Sequence, residues 1–216
     1  MGKKELLRHE PRLERTDEGL VLTDGVLSMR GDFSHMKRRI RREQLTHELL
    51  VKACRIKGRE DITVFDATAG LGEDSFLLAA AGFRVIMAEK NPVIAALLED
   101  ALLREYEPEI AEAISRMRLI KGDCTRILPQ LDAAPDVIYL DPMFPAREKS
   151  GLIKKKFQLL QGLETPCDDE EALLAAALDS HPVKTVVKRP LKAPCLSGRE
   201  PDYSFRGSTI RFDVLT

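Results

Sequence analysis

With 216 residues and 44% hydrophobic content, the chain is long enough for one α/β domain carrying a small appendage. It contains no apolar run of about twenty residues, so a helical membrane span is not expected, and the charged start Met1-Gly-Lys-Lys-Glu5 predicts no secretory leader. The net charge of −1 does not by itself advertise a nucleic-acid binder, and Cys54, Cys124, Cys167 and Cys195 form no Cys-x-x-Cys pair, which points to reduced thiols in a cytoplasmic protein rather than to zinc or disulfides.

In chain order, residues 1–19 are polar and read as a loose lead-in. Leu20 to Met29 carries Asp24-Gly25 between short apolar runs, a hairpin signal. A helix is predicted from Arg41 to Arg55, with Leu45, Leu49 and Ala53 along one stripe. From there strand and helix alternate. Strands are expected over 62–67, 83–89, 118–121, 136–141 and 183–188, and helices over 73–81, 92–106, 108–116 and 168–179. The tail, Tyr203-Ser-Phe205 and Ser208 to Leu215, reads as a closing pair of strands. The pattern predicts a mostly parallel, seven-stranded sheet with helices on both faces, divided into an N-terminal hairpin and basic helical segment over 1–58 and a main domain over 59–216.

Between the first strand of that alternation and its helix lies Asp66-Ala-Thr-Ala-Gly-Leu-Gly72. Glycines in a strand-to-helix turn let backbone N–H groups approach a ligand, with a helix N-terminus behind them. Glu89 follows about twenty residues on, at the end of the next strand, where a carboxylate can accept ribose hydroxyls. A dinucleotide fits poorly. Ser75 stands where its fingerprint has a third glycine, and Glu73 and Asp74 would repel a pyrophosphate. S-adenosylmethionine (SAM), with a sulfonium and an ammonium, tolerates such acidic company. The spacing Asp66, Thr68, Gly70, Gly72 resembles the first motif of Rossmann-like class I SAM-dependent methyltransferases, with Thr68 in place of its first glycine. Asp123, ending a further strand, sits where that fold class contacts the adenine amine.

Val137-Ile-Tyr-Leu-Asp141-Pro-Met-Phe144-Pro is the second motif, a buried strand running into Asp-Pro. An exocyclic amine on a base is a poor nucleophile because its lone pair is delocalised into the ring. A carboxylate and a backbone carbonyl that accept its two N–H bonds hold it aimed at a methyl group. Asp141 and the Pro142 carbonyl are assigned that role, and Phe144 stacks on the base. None of the four histidines has a ligand-spaced partner, no serine sits in a nucleophile elbow, and no metal site is expected.

Positive charge is clustered. Lys37, Arg38, Arg39, Arg41 and Arg42 form one block, Lys154 and Lys155 belong to a second, and Lys188-Arg189 end a strand on the crevice edge. Such blocks suit phosphate recognition, with Lys188 and Arg189 as a clamp for RNA phosphate or the base.

Taken together, Asp66 to Gly72, Glu89-Lys-Asn-Pro-Val93, Tyr139 to Pro145 with Lys149, Ser150, Lys154 and Lys155, and Val187-Lys-Arg-Pro190 resemble the RsmJ family of small-subunit rRNA (guanine-N2) methyltransferases, from about Leu20 to the C-terminus. The resemblance implies SAM as methyl donor, one guanine near the 3′ end of 16S rRNA as acceptor, and 16S rRNA or the small ribosomal subunit as partner. It implies no membrane and no metal, and a monomer is favoured. By it the SAM contacts fall on Glu73, Asp74, Glu89, Lys90, Asp123, Cys124 and Asp141. The family usually carries Arg at the positions of Glu73 and Lys90, and a serine pair at Asp123-Cys124. An amino-methyltransferase acting on DNA or a small molecule, and a non-catalytic RNA-binding assembly factor, stand as alternatives on sequence alone.

Overall fold

The computed structural model describes residues 10–142, 159 and 169–216. Strand β1 (Arg12–Thr16) pairs antiparallel with β2 (Gly19–Thr23), which pairs with β3 (Ser28–Met29). The hairpin expected at Asp24-Gly25 is the β2–β3 turn. The Asp24 carboxylate accepts from the N–H groups of Val26 (2.9 Å) and Leu27 (2.7 Å), which fixes the reversal. Part of the lead-in expected to be loose is instead β1. Every residue of β1 is exposed, so no apolar alternation marks it in the sequence, and it is held by its ladder to β2.

The helix expected over 41–55 is broken in two, α1 (Arg42–Leu45) and α2 (Leu49–Cys54). The Thr46 hydroxyl bonds back to the Glu43 carbonyl (2.7 Å), and Glu48 is extended at ψ 120° with its carboxylate held by Arg39. Leu50, Val51, Ala53 and Cys54 of α2 then enter the main core.

The second sheet begins with β4 (Thr63–Asp66), followed by α3 (Glu73–Ala80), β5 (Arg84–Glu89), α4 (Pro92–Leu102), α5 (Pro108–Ile114) and β6 (Met117–Lys121). After it come α6 (Cys124–Ile127), β7 (Val137–Leu140), α7 (Glu170–Asp179), β8 (Lys184–Pro190), β9 (Tyr203–Arg206) and β10 (Ile210–Leu215). Asn91 caps α4 by accepting from Val93 N (2.9 Å), with Pro92 at the first helical position. Expected to reach residue 106, α4 stops at Leu102. Beyond it Arg104 turns back to Asp100 and to the Gly31 carbonyl. The short helix α6 was not expected; the Asp123 side chain caps it.

The strand order is β6-β5-β4-β7-β8-β10-β9, with β6 through β8 parallel and β10 antiparallel to both neighbours. This is the Rossmann-like, seven-stranded sheet predicted from the sequence. Consecutive strand residues face opposite layers. Val64, Tyr139 and Val186 enter the core shared with α2, α3 and α5, whereas Phe65, Ile138 and Val187 enter the one under α7. The N-terminal sheet is anchored through Leu22 and Met29 against Ile94 and Leu97 of α4 and Leu159. Strand order reverses between β4 and β7, so a crevice opens at their carboxyl ends.

Candidate active site

Five segments bring their carboxyl-end residues to that crevice, beginning with the turn after β4. Asp66 is 1% exposed; its Oδ1 accepts from Thr68 N (3.0 Å) and its Oδ2 from the Ser75 hydroxyl (2.6 Å). Burial pushes its carboxyl up to about 7. Asp66 therefore braces the turn from beneath. Above it Gly70 (φ +55°) and Gly72 (φ +77°) adopt left-handed backbone. A Cβ on Gly72 would lie 2.8 Å from Leu98 Cδ1, whereas one on Gly70 would meet open space among the described residues.

Glu89, at the end of β5, is 9% exposed and reaches across to this turn. Its two oxygens accept from Gly70 N (2.8 Å) and Asn91 N (2.7 Å). Burial raises its carboxyl above the ordinary range, and those N–H bonds oppose the shift. Each oxygen keeps a lone pair for a ligand hydroxyl. Lys90 is exposed beside it. Asp123 is exposed, accepting from Thr125 N (2.9 Å) and the Thr125 hydroxyl (2.7 Å), which hold its carboxyl below the usual range; Cys124 behind it is buried.

On the other side of the switch point the contacts run between side chains. Asp141 N donates to Thr68 Oγ1 (2.7 Å), tying the end of β7 to the glycine turn. Asp141 Oδ2 accepts from Lys188 Nζ of β8 (2.9 Å). The same ammonium donates to Asp74 Oδ2 (2.6 Å), which also accepts from the Tyr139 hydroxyl (2.6 Å). Burial raises the Asp141 carboxyl, and the Lys188 charge opposes that rise. Burial likewise works against the charge on Lys188, but Asp141 and Asp74 outweigh it and hold the ammonium well above the ordinary lysine range. The Tyr139 phenol is pushed up by burial and by the surrounding carboxylates, so it remains a donor. Pro142 is buried.

Thr68, Ser75, Tyr139 and the inward role of Lys188 were not assigned from the sequence. The one available signal was Tyr139, a hydroxyl in the otherwise aliphatic run Val137-Ile-Tyr-Leu140. Of the Lys188-Arg189 clamp expected for RNA phosphate or the base, the geometry corrects the Arg189 half. Neighbours on a strand face opposite layers, so only Lys188 lies in the crevice. Arg189 is 2% exposed and donates to the Pro194 carbonyl (2.9 Å) and to Glu170 of α7 (3.2 Å).

The basic block lies beside the turn. His35 Nε2 is 3.2 Å from Glu73, and Phe33 stacks on Phe76 of α3 at 4.7 Å between ring centroids. Lys37 pairs with Glu107, and Arg39 forks onto Glu48 at 2.6 and 2.9 Å. Arg38, Arg41 and Arg42 are exposed. Phe144, Lys154 and Lys155 lie outside the described residues.

These residues fit SAM. Bare glycine backbone and Glu89 suit a nucleoside, while Asp74 and Asp141 share a single ammonium, which suits a cationic ligand and disfavours a phosphate. Among the described residues no group of three or more His, Cys, Asp or Glu is arranged to hold a metal ion, and no helix is long and apolar enough to cross a membrane.

Comparison with known proteins agrees with this chemistry. A family profile described as "Putative SAM-dependent methyltransferase" matches residues 7–216. The chain is 42% identical over 212 residues to ribosomal RNA small subunit methyltransferase J of Pseudomonas syringae pv. tomato, covering 94% of this chain and 78% of that protein. It is 47% identical over 176 residues to the enzyme of the same name from Thioalkalivibrio sulfidiphilus, covering 80% and 69%. Among solved structures, the SAM-dependent methyltransferase NGO1261 from Neisseria gonorrhoeae superposes with a TM-score of 0.75 at 30% identity, covering 99% of this chain and 85% of that one. The chain belongs to the ribosomal RNA small subunit methyltransferase J family of SAM-dependent methyltransferases.

Proposed function

We propose that this protein is a cytoplasmic enzyme that transfers the methyl group of SAM to the exocyclic N2 of a guanine in 16S rRNA of the small ribosomal subunit. The observation that carries the reading is Asp141-Pro142 at the carboxyl end of β7, where the Asp141 main chain is tied to the glycine turn through Thr68. A carboxylate thereby stands beside the backbone that suits SAM. The names of the relatives, ribosomal RNA small subunit methyltransferase J, support the choice of RNA.

Bound SAM supplies an electrophilic methyl group. Asp141 and the Pro142 carbonyl accept the two N–H bonds of the guanine amine and aim its lone pair. On transfer the N–C bond would form as the C–S bond breaks with its electrons left on sulfur, and the amine would release its proton to solvent at the partly exposed Asp141 carboxylate. Holding the reactants about 3 Å apart and in line accounts for most of the acceleration. Phe144 is assigned to stack on the unstacked base. Glu73, Asp74, Glu89, Lys90, Asp123 and Cys124 are assigned to the rim of the SAM site. Arg38, Arg41 and Arg42, together with Lys154 and Lys155, are assigned to phosphates, whereas Lys37 and Arg39 already pair with glutamates.

The test is transfer from labelled SAM to small subunits lacking the modification, followed by nucleoside analysis. Label in N2-methylguanosine is expected. Label in another nucleoside, or none with SAM binding demonstrated, overturns the reading.

A further inference from the structure

Four ionisable side chains from three separate elements meet at one point of the crevice. Lys188 Nζ lies 2.6 Å from Asp74 Oδ2 and 2.9 Å from Asp141 Oδ2, and the Tyr139 hydroxyl lies 2.6 Å from the same Asp74 oxygen. Asp74 opens α3, Asp141 and Tyr139 belong to the end of β7, and Lys188 belongs to β8. The groups facing them from the neighbouring elements are Asp66 of β4 and, on the side of the basic block, Glu73 and Arg39. Lys188 is only 24% exposed at its side chain, so this is no freely solvated surface pair. Asp141 Oδ1 makes no hydrogen bond among the described residues, and the Asp141 side chain is 37% exposed.

We infer that Lys188 is a positioning residue for methyl transfer: clamped between Asp74 and Asp141, its ammonium keeps Asp141 an anionic acceptor with one oxygen tied down and the other left for the incoming amine. This rests on the amine-transfer reading above. A protonated Asp141 would carry an O–H donor where the guanine N–H needs an acceptor. The surroundings push toward that unproductive form, because burial and the nearby Asp74 charge both raise the Asp141 carboxyl, and Lys188 opposes them. Asp74 has a double part. It anchors the ammonium, with Tyr139 fixing its own carboxylate, and its charge at the same time makes Asp141 harder to ionise. The two partners of Asp141 thus act on it with opposite sign.

The opposition makes the inference testable in the protein without SAM. The Asp141 carboxyl is followed by carbon-13 NMR across pH in the wild type, Lys188→Met, Lys188→Arg and Asp74→Asn. In Lys188→Met the midpoint is expected to rise by about one pH unit or more, the scale of losing an opposite charge at contact distance. In Lys188→Arg it stays close to wild type, and in Asp74→Asn it falls. The acid limb of kcat at saturating SAM should follow the midpoints. Well below that limb, a one-unit rise makes Lys188→Met about tenfold slower, with recovery at high pH. A merely structural lysine would lower the rate at every pH and leave the limb in place. An unmoved midpoint in Lys188→Met, or movement in the same direction in Lys188→Met and Asp74→Asn, overturns the assignment. If the wild type labels N2-methylguanosine while the midpoint is unmoved, only the Lys188 role falls. If the wild type puts no label there, the amine-transfer reading and this role fall together.

Discussion

The two halves of the crevice are built by different means. In the half formed by β4 and β5, carboxylates are satisfied by main-chain N–H groups. Glu89 accepts from Gly70 and Asn91, and Asp66 accepts from Thr68 with only the Ser75 hydroxyl added. In the half formed by β7 and β8, side chains satisfy side chains over long separations. Lys188 reaches Asp141 across 47 residues and Asp74 across 114, and Tyr139 reaches Asp74 across 65. Main-chain donors fix the shape of the turn through local bonds, which suits holding a cofactor. Charge networks set the protonation state and aim of a single group, which suits chemistry.

Damage confined to one half should separate catalysis from cofactor binding. Asp141→Ala is expected to lower kcat by about 10²–10³-fold, the scale of losing one pre-aimed polar partner in a transition state. SAM affinity by calorimetry should stay within a few-fold. Equal losses in both would mean that the halves are not separable. Gly72→Ala attacks the other half. Its φ of +77° disfavours any side chain, and the new Cβ would meet Leu98 Cδ1 at 2.8 Å. A loss of about 1–3 kcal/mol of stability and weaker SAM binding are expected, read by melting and calorimetry. Adding Leu98→Ala relieves the clash but not the backbone strain, so Gly72→Ala/Leu98→Ala should not regain wild-type SAM affinity.

Smaller effects sharpen the picture further out. Replacing Arg38, Arg41 and Arg42 together by Gln should weaken small-subunit binding and flatten its dependence on log salt by about 0.9 for each phosphate that is no longer neutralised. Turnover at saturating subunit should be preserved. A salt dependence identical to wild type would remove these residues from the RNA interface. An effect on stability that varies with pH is expected from Asp66→Asn. Burial places the folded Asp66 at about 7, whereas an unfolded aspartate titrates near about 3.9. The folded state therefore binds this proton more tightly, and the contribution to stability is full below the unfolded value and declines as pH rises to about 7. Asn does not titrate and can still accept from Thr68 N. The melting temperature of Asp66→Asn relative to wild type should rise between about pH 4 and 7. A constant difference across that range would contradict a proton held on Asp66.

What was legible in advance follows the same division. Asp66 to Gly72, Glu89 and Asp141 are readable because strand-ending glycines and acids act locally, and the parallel order places the ends of β4 to β8 on one edge. The errors share a cause as well. Strand β1 has no buried face to imprint a pattern, α1 and α2 separate where Thr46 and Glu48 find other partners, and Lys188-Arg189 looked like one basic pair until strand alternation sent them to opposite layers.

From the sequence alone follow the sheet with helices on both faces, the glycine turn after β4 and the acid after β7, because propensity, periodicity and turn chemistry are properties of short segments. The tertiary structure alone decided that Lys188 joins Asp74 and Asp141, and that Arg189 instead ties β8 to α7. Those outcomes depend on which strands become neighbours and which face each residue takes, and charge at long sequence separation carries no local signature of either.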